Sequence, residues 1–134
     1  MEPVTVLVIE EGAAEAAVVC AALALHPAVR VVDAPDLERA MERISEGPIA
    51  LAIAGARALT RSPEKLVSKL GAHGIPVVGI AAGLEPKAKQ RALSAGVREV
   101  HDRPGEWRPY SELVGTLVGR FIRTDSLPRR GPTT

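Results

Sequence analysis

One cysteine, Cys20, and a single Trp, Tyr and Phe are all that this chain of 134 residues holds of the side chains that staple, ligate or stack. A lone cysteine excludes an internal disulfide and a multi-cysteine zinc site. With aromatics at 2% of the chain, the core must be built from Ala, Val, Leu and Ile, and no platform exists for stacking nucleobases. Charge of neither sign dominates: 17 Lys and Arg stand against 16 Asp and Glu, spread along the chain, for a net charge of +1. No broad field therefore attracts nucleic acid or an anionic membrane. No apolar run is long enough to span a bilayer, and Met1-Glu2-Pro3 is not the basic start of a signal peptide. The expected setting is the reducing cytoplasm, without membrane or nucleic acid as partner.

The residue sets of common chemistries are missing as well. No G-x-G-x-x-G or P-loop marks a nucleotide site. His26, His73 and His101 are far apart and without metal-ligand spacing. No nucleophile is paired with a base, so an enzyme is not expected, and neither is a cofactor. Cys20, on the inward side of a helical segment, reads as a small core residue.

What remains is a pattern. Apolar residues form 46% of the chain, and they fall into short β-rich runs separated by helical segments. The runs Val4–Ile9, Val29–Val32, Ile49–Ala54, Ile75–Ala81 and Val97–His101 read as strands, most of them apolar enough to be buried on both faces. Between them, Ala13–Leu25, Leu37–Glu46, a segment opening at Ser62-Pro63-Glu64, Lys87–Ala95 and Pro109–Arg123 read as helices. Leu37, Ala40, Met41 and Ile44 define one apolar stripe, with Asp36 as N-cap and Gly47 at the far end. Residues 55–61 read as a loop. Five strands alternating with five helices predict an α/β fold with a parallel sheet covered on both faces by right-handed crossovers. Residues 1–123 are expected to form one domain. The polar, Pro/Gly-rich residues 124–134 are expected to be a flexible tail or linker, leading to an output domain beyond the C-terminus.

The order of several local phrases resembles the receiver domain of two-component response regulators. Glu10-Glu11 follows the first strand, Gly47-Pro48-Ile49-Ala50-Leu51 leads into the third, and Ile75-Pro76-Val77-Val78 opens the fourth. Ala92-Leu93-Ser94-Ala95-Gly96-Val97 is similar to the end of the receiver's fourth helix, and Arg103-Pro104 falls where receivers carry Lys-Pro. The resemblance implies a flavodoxin-like (βα)5 doubly wound sheet of strand order 2-1-3-4-5. It also implies that the receiver's phosphate-accepting Asp is replaced by Ala54, its Ser/Thr by Ala81, its switch aromatic by Val100 and its Lys by Arg103. Phosphoryl transfer to a protein needs a carboxylate nucleophile and a metal held by oxygen ligands. Glu10 and Glu11 alone make a poor Mg²⁺ site, and one of them is expected to pair with Arg103 instead.

The degenerate pocket is therefore Glu10, Glu11, Ala54, Ala81 and Arg103, and the chain reads as a pseudo-receiver, an atypical receiver domain that signals without being phosphorylated. Its function would lie in protein–protein interaction or dimerisation with a second copy or another signalling protein. The expected surface is Lys87 and Arg91 on the fourth helix, Val100 on the fifth strand, and Leu113, Leu117 and Phe121 on the last helix. The stripe of that last helix looks wider than one buried face needs, and Gly115 and Gly119 would admit a neighbouring helix. The alternative is a sensor in which a small molecule or nucleotide fills the room left by Ala54 and Ala81, with Arg103 as donor.

Overall fold

The computed structural model describes residues 3–122. The expected tail lies outside the described residues. The elements are β1 (Val4–Ile9), α1 (Ala13–Leu23), β2 (Val29–Ala34), α2 (Leu37–Ser45), β3 (Leu51–Ala54), α3 (Ala56–Arg61), α4 (Pro63–Gly71), β4 (Val77–Ala81), α5 (Pro86–Ala95), β5 (Glu99–Asp102) and α6 (Trp107–Phe121). The strands form one sheet in the order β2-β1-β3-β4-β5, and every pair is parallel. This is the flavodoxin-like, doubly wound fold that the alternation and the resemblance implied.

Period-two alternation splits the core into two layers. On one side of the sheet, Val6, Val8, Leu51, Ile53 and Val78 pack with Val19, Ala22 and Leu23 of α1 and with Tyr110, Val114 and Leu117 of α6. On the other, Leu7, Ile9, Ala52, Ala54 and Val77 pack with residues of α2 to α5. All four residues of β3 are buried, which is why its sequence carries no polar position. Each buried Leu, Ile or Val contributes about 1.5–3 kcal/mol relative to exposure, so the sheet is held chiefly by these two apolar layers.

Local signals set most boundaries. The Asp36 carboxylate accepts the Arg39 N–H at 2.8 Å and caps α2. Pro63 and Pro86 open α4 and α5, where no backbone donor is needed. Gly96 ends α5 in the left-handed region at φ 116°, which a side chain there would resist. Other expectations need correction. The stretch after β3 is not a loop: α3 is a sixth helix, pinned by Leu59, which is 1% exposed. The Ser62 side chain makes no cap bond, so Pro63 alone starts α4. The Glu46 N–H donates to the Arg43 carbonyl at 3.0 Å and the Gly47 N–H to the Ile44 carbonyl at 3.4 Å, so Gly47 follows the C-cap as expected but closes α2 without a left-handed conformation.

Candidate functional site

In parallel sheets of this kind the strand ends carry the functional loops. Ile9 and Ala54 are register partners on β1 and β3, so Glu10 and Gly55 emerge side by side. The Gly55 N–H donates to the Ile9 carbonyl at 3.0 Å. The Glu10 carboxylate folds back over this junction. Its Oε2 accepts the Gly12 N–H at 2.8 Å, and a Cβ at position 55 would fall on its Oε1. Glycine at 55 is thus what lets the Glu10 carboxylate lie against the backbone. Ala54 beneath it is 0% exposed.

Arg103 arrives from the other side. Its N–H donates to the Ala81 carbonyl at 3.0 Å, which fixes its backbone at the end of β4. The side chain reaches α1, with Nε 2.9 Å from Glu15 Oε2. That Nε is buried and makes no well-aligned hydrogen bond, so the contact with Glu15 is close and ionic but not directional. Both side chains are about a third exposed, so the pair contributes little to stability. Tyr110 of α6 lies below and is 2% exposed. Burial pushes its phenol up to about 12, and the charges of Glu15 and Glu10 add to this while Arg103 opposes it. The chain has one tyrosine, so an absorbance titration isolates it. The expected midpoint is near 12, where a free phenol titrates at about 10. Because the unfolded chain loses that proton first, stability should fall as pH rises between those two values.

Val8, Glu10, Ala54, Gly55, Arg103 and Tyr110 are among the residues around the cavity that remains here, which holds about 10 Å³. That is roughly the space of one water-sized sphere. The room expected from Ala54 and Ala81 is therefore not present. Glu10 has folded into it, and Ala81, 3% exposed, belongs to the same packed core layer as Ala54. The expected pairing of Arg103 with Glu10 or Glu11 is also corrected. Glu11 points outward, where its Oε1 lies 3.3 Å from Arg57 Nε. The partner that sequence reading missed is Glu15. It stands in the first turn of α1 and so rises beside the strand ends, a position that an acid just inside a helix start could have signalled.

A receiver would hold a divalent metal here. The donors do not fit one: Ala54 offers no oxygen, Glu10 is committed to the Gly12 N–H, and Glu11 is turned to Arg57. Among the described residues no cluster of three or more His, Cys, Asp or Glu could hold a metal ion.

The expected interaction residues separate. Lys87 is exposed on α5. Arg91 is exposed but bound through two hydrogen bonds of 2.9 Å to Glu64 of α4. Val100 is 9% exposed and Leu117 0%, so both belong to the core and not to an outer face. Leu113 and Phe121 are half-buried against the α1–α6 layer, so the stripe on α6 is wide mainly because α1 and the sheet both take part of it. Gly115 faces the His26 ring, with space for a Cβ at 3.7 Å. His101 is not at the strand-end cavity either. Its Nε2 is 2.7 Å from Glu99, and Glu99 also binds Arg120 of α6. Burial pushes the Glu99 carboxyl up, but the hydrogen bonds from Arg120 and His101 outweigh it and hold the group below the usual carboxylate range. Cys20 is half-buried rather than a full core residue, and burial, then the charge of Asp33, pushes its thiol up, away from nucleophilic form.

No family model matches the sequence, and no curated protein matches it either. Solved structures do. The phosphorylated cyanobacterial phytochrome response regulator RcpA superposes with a TM-score of 0.76 at 15% identity, over 95% of this chain and 99% of that one. The receiver domain of the response regulator NarL from Mycobacterium tuberculosis gives 0.75 at 22% identity, over 92% and 100%. HP1043, an orphan response regulator of H. pylori, gives 0.70 at 14% identity, over 88% and 96%. At such identities the likeness speaks for architecture: the chain has the fold of response-regulator receiver domains.

Proposed function

We propose that this chain is a phosphorylation-independent, receiver-like signalling module of two-component type that acts by binding another protein, without catalysis of its own. One observation carries the reading. At the end of β3 stands Ala54, 0% exposed, under a cavity of about 10 Å³. A buried methyl group accepts no phosphoryl group. The neighbouring parts agree: Ala81 has no hydroxyl, Val100 is buried aliphatic bulk, and Arg103 is turned to Glu15. A switch of this kind needs a charged group that forms on phosphorylation and a bistable element that it biases, and neither the acceptor nor the aromatic is present.

Function then falls to the outer faces. Leu93 of α5 is 37% exposed and Trp107 at the start of α6 is 48% exposed. Exposed Lys87 adds a cation on α5, and these side chains are available to a second copy or another signalling protein. The strand-end cavity does not favour the sensor alternative, since its volume is far below what a nucleotide requires. Incubation with acetyl phosphate and Mg²⁺, followed by intact mass measurement, is expected to show the unmodified chain only. A stoichiometric phosphoryl adduct, labile to alkali and hydroxylamine as an acyl phosphate is, would overturn the proposal.

A further inference from the structure

A larger site lies beside the closed one. Between the first turn of α2 and the α3–α4 junction runs a groove of about 470 Å³, within the range of small-molecule sites. Its floor includes Leu37, Ala58 and Leu66, which continue the core layer on that side. Arg61 and Lys65 stand exposed on the α3–α4 wall, and neither forms an ion pair among the described residues. Two of the groove's carboxylates are already engaged: Glu11 with Arg57, and Asp36 with the Arg39 N–H. The remaining one, Glu38, lies in the first turn of α2, where it offsets the positive end of that helix.

We infer that this groove binds a small amphipathic anion, with its carboxylate, phosphate or sulfonate head on Arg61 and Lys65 and its apolar body on Leu37, Ala58 and Leu66. Three cations and three carboxylates line the groove, but they are segregated: Asp36 and Glu38 stand at the start of α2, while Arg61 and Lys65, neither in an ion pair among the described residues, share the α3–α4 wall, and that wall sets the sign of the head. The floor sets the body, because half-buried Leu37 and Ala58 gain from a cover that water does not provide. Two cations side by side suit an anionic head better than a neutral one. The groove and the strand end fail separately: acetyl phosphate labelling read by mass tests the strand end, and octanoate binding tests the groove.

The test uses the whole chain with octanoate as probe, followed by calorimetry and by the melting temperature. Octanoate is expected to bind saturably and to raise the melting temperature. Octylammonium, with the same apolar body and the opposite charge, should bind at least about tenfold more weakly. Inorganic phosphate, a head without a body, should also bind more weakly than octanoate. The double substitution Arg61→Glu and Lys65→Glu should abolish octanoate binding, and the milder Arg61→Gln and Lys65→Gln pair should weaken it about tenfold. Arg108→Glu, on α6 across the sheet from the groove, should leave it unchanged. Equal binding of octanoate and octylammonium would overturn the inference. So would phosphate binding as tightly as octanoate, unchanged binding by folded Arg61/Lys65 variants, or no saturable binding of octanoate.

Discussion

Ala54→Asp is expected to lower stability by about 3–5 kcal/mol at pH 7. The new carboxylate would sit at a position that is 0% exposed, beside the Glu10 carboxylate lying over Gly55. The cavity there, about 10 Å³, leaves little space for hydrating water. Arg103, the nearest cation in the cavity wall, is already paired with Glu15. Burial and the neighbouring like charge both disfavour ionisation, so the folded-state pKa of the introduced group would rise above its unfolded value of about 3.9. The penalty is then absent below the unfolded pKa and grows as pH rises toward the folded one. Urea denaturation at pH 7 and pH 5 should show the variant recovering on acidification. Ala54→Asn separates size from charge: it should carry a steric cost that does not change between those pH values. If Ala54→Asp matched the parent at both, the strand end would open readily, and the closed cavity would no longer argue against a phosphorylatable site.

Leu59→Ala is expected to cost about 2–5 kcal/mol, the range for emptying a fully buried leucine site. Leu59 is the one buried residue of the six-residue helix α3, and a helix that short has little stability without its tertiary anchor. Its side chain lies on Gly79 of β4, where a Cβ would come within 2.6 Å of Leu59 Cδ1. Gly79→Ala alone should therefore destabilise by about 1–3 kcal/mol through overpacking. Combined with Leu59→Ala, the added methyl group enters the space just vacated. The double variant is thus expected to lose less than the sum of the singles, with a coupling of about 0.5–3 kcal/mol. Thermal and urea unfolding of the four proteins checks this, and strict additivity would show that the two positions do not share a cavity.

The helix α3 also marks where sequence reading stops. The strands were legible because buried parallel strands are uninterrupted apolar runs, as in Val4–Ile9 and Leu51–Ala54. Their order followed from the alternation and the resemblance. In contrast, Ala56–Arg61 has no room for a periodic stripe, and its helicity depends on Leu59 meeting a glycine in the next strand, beyond α4. The site was half legible. Glu10, Ala54 and Arg103 do converge on one cavity. That Glu10 would fill it, and that Arg103 would choose Glu15, depends on side-chain reach across loops, which spacing along the chain does not encode. Val100 and Leu117 were misplaced on the surface for a related reason. An apolar residue on a covering helix or a short edge strand belongs to the core or to an interface according to what lies beneath it, and the pattern alone is the same in both cases.

The core layer that α6 shares with α1 has a bearing on how the chain forms during synthesis. The strand β1 lies inside the sheet, between β2 and β3, so its two neighbours emerge from the ribosome after it does. By the time β4 has emerged, the sheet face bearing Val6, Val8, Ile53 and Val78 has only α1 to cover it, because Tyr110, Val114 and Leu117 belong to the last of the described elements. Until those residues arrive, a nascent chain displays a stretch of β-branched surface of the kind that chaperones recognise and that associates between chains. Expression is thus the stage at which loss of Val114 or Leu117 would be felt first, before any effect on what the finished molecule binds.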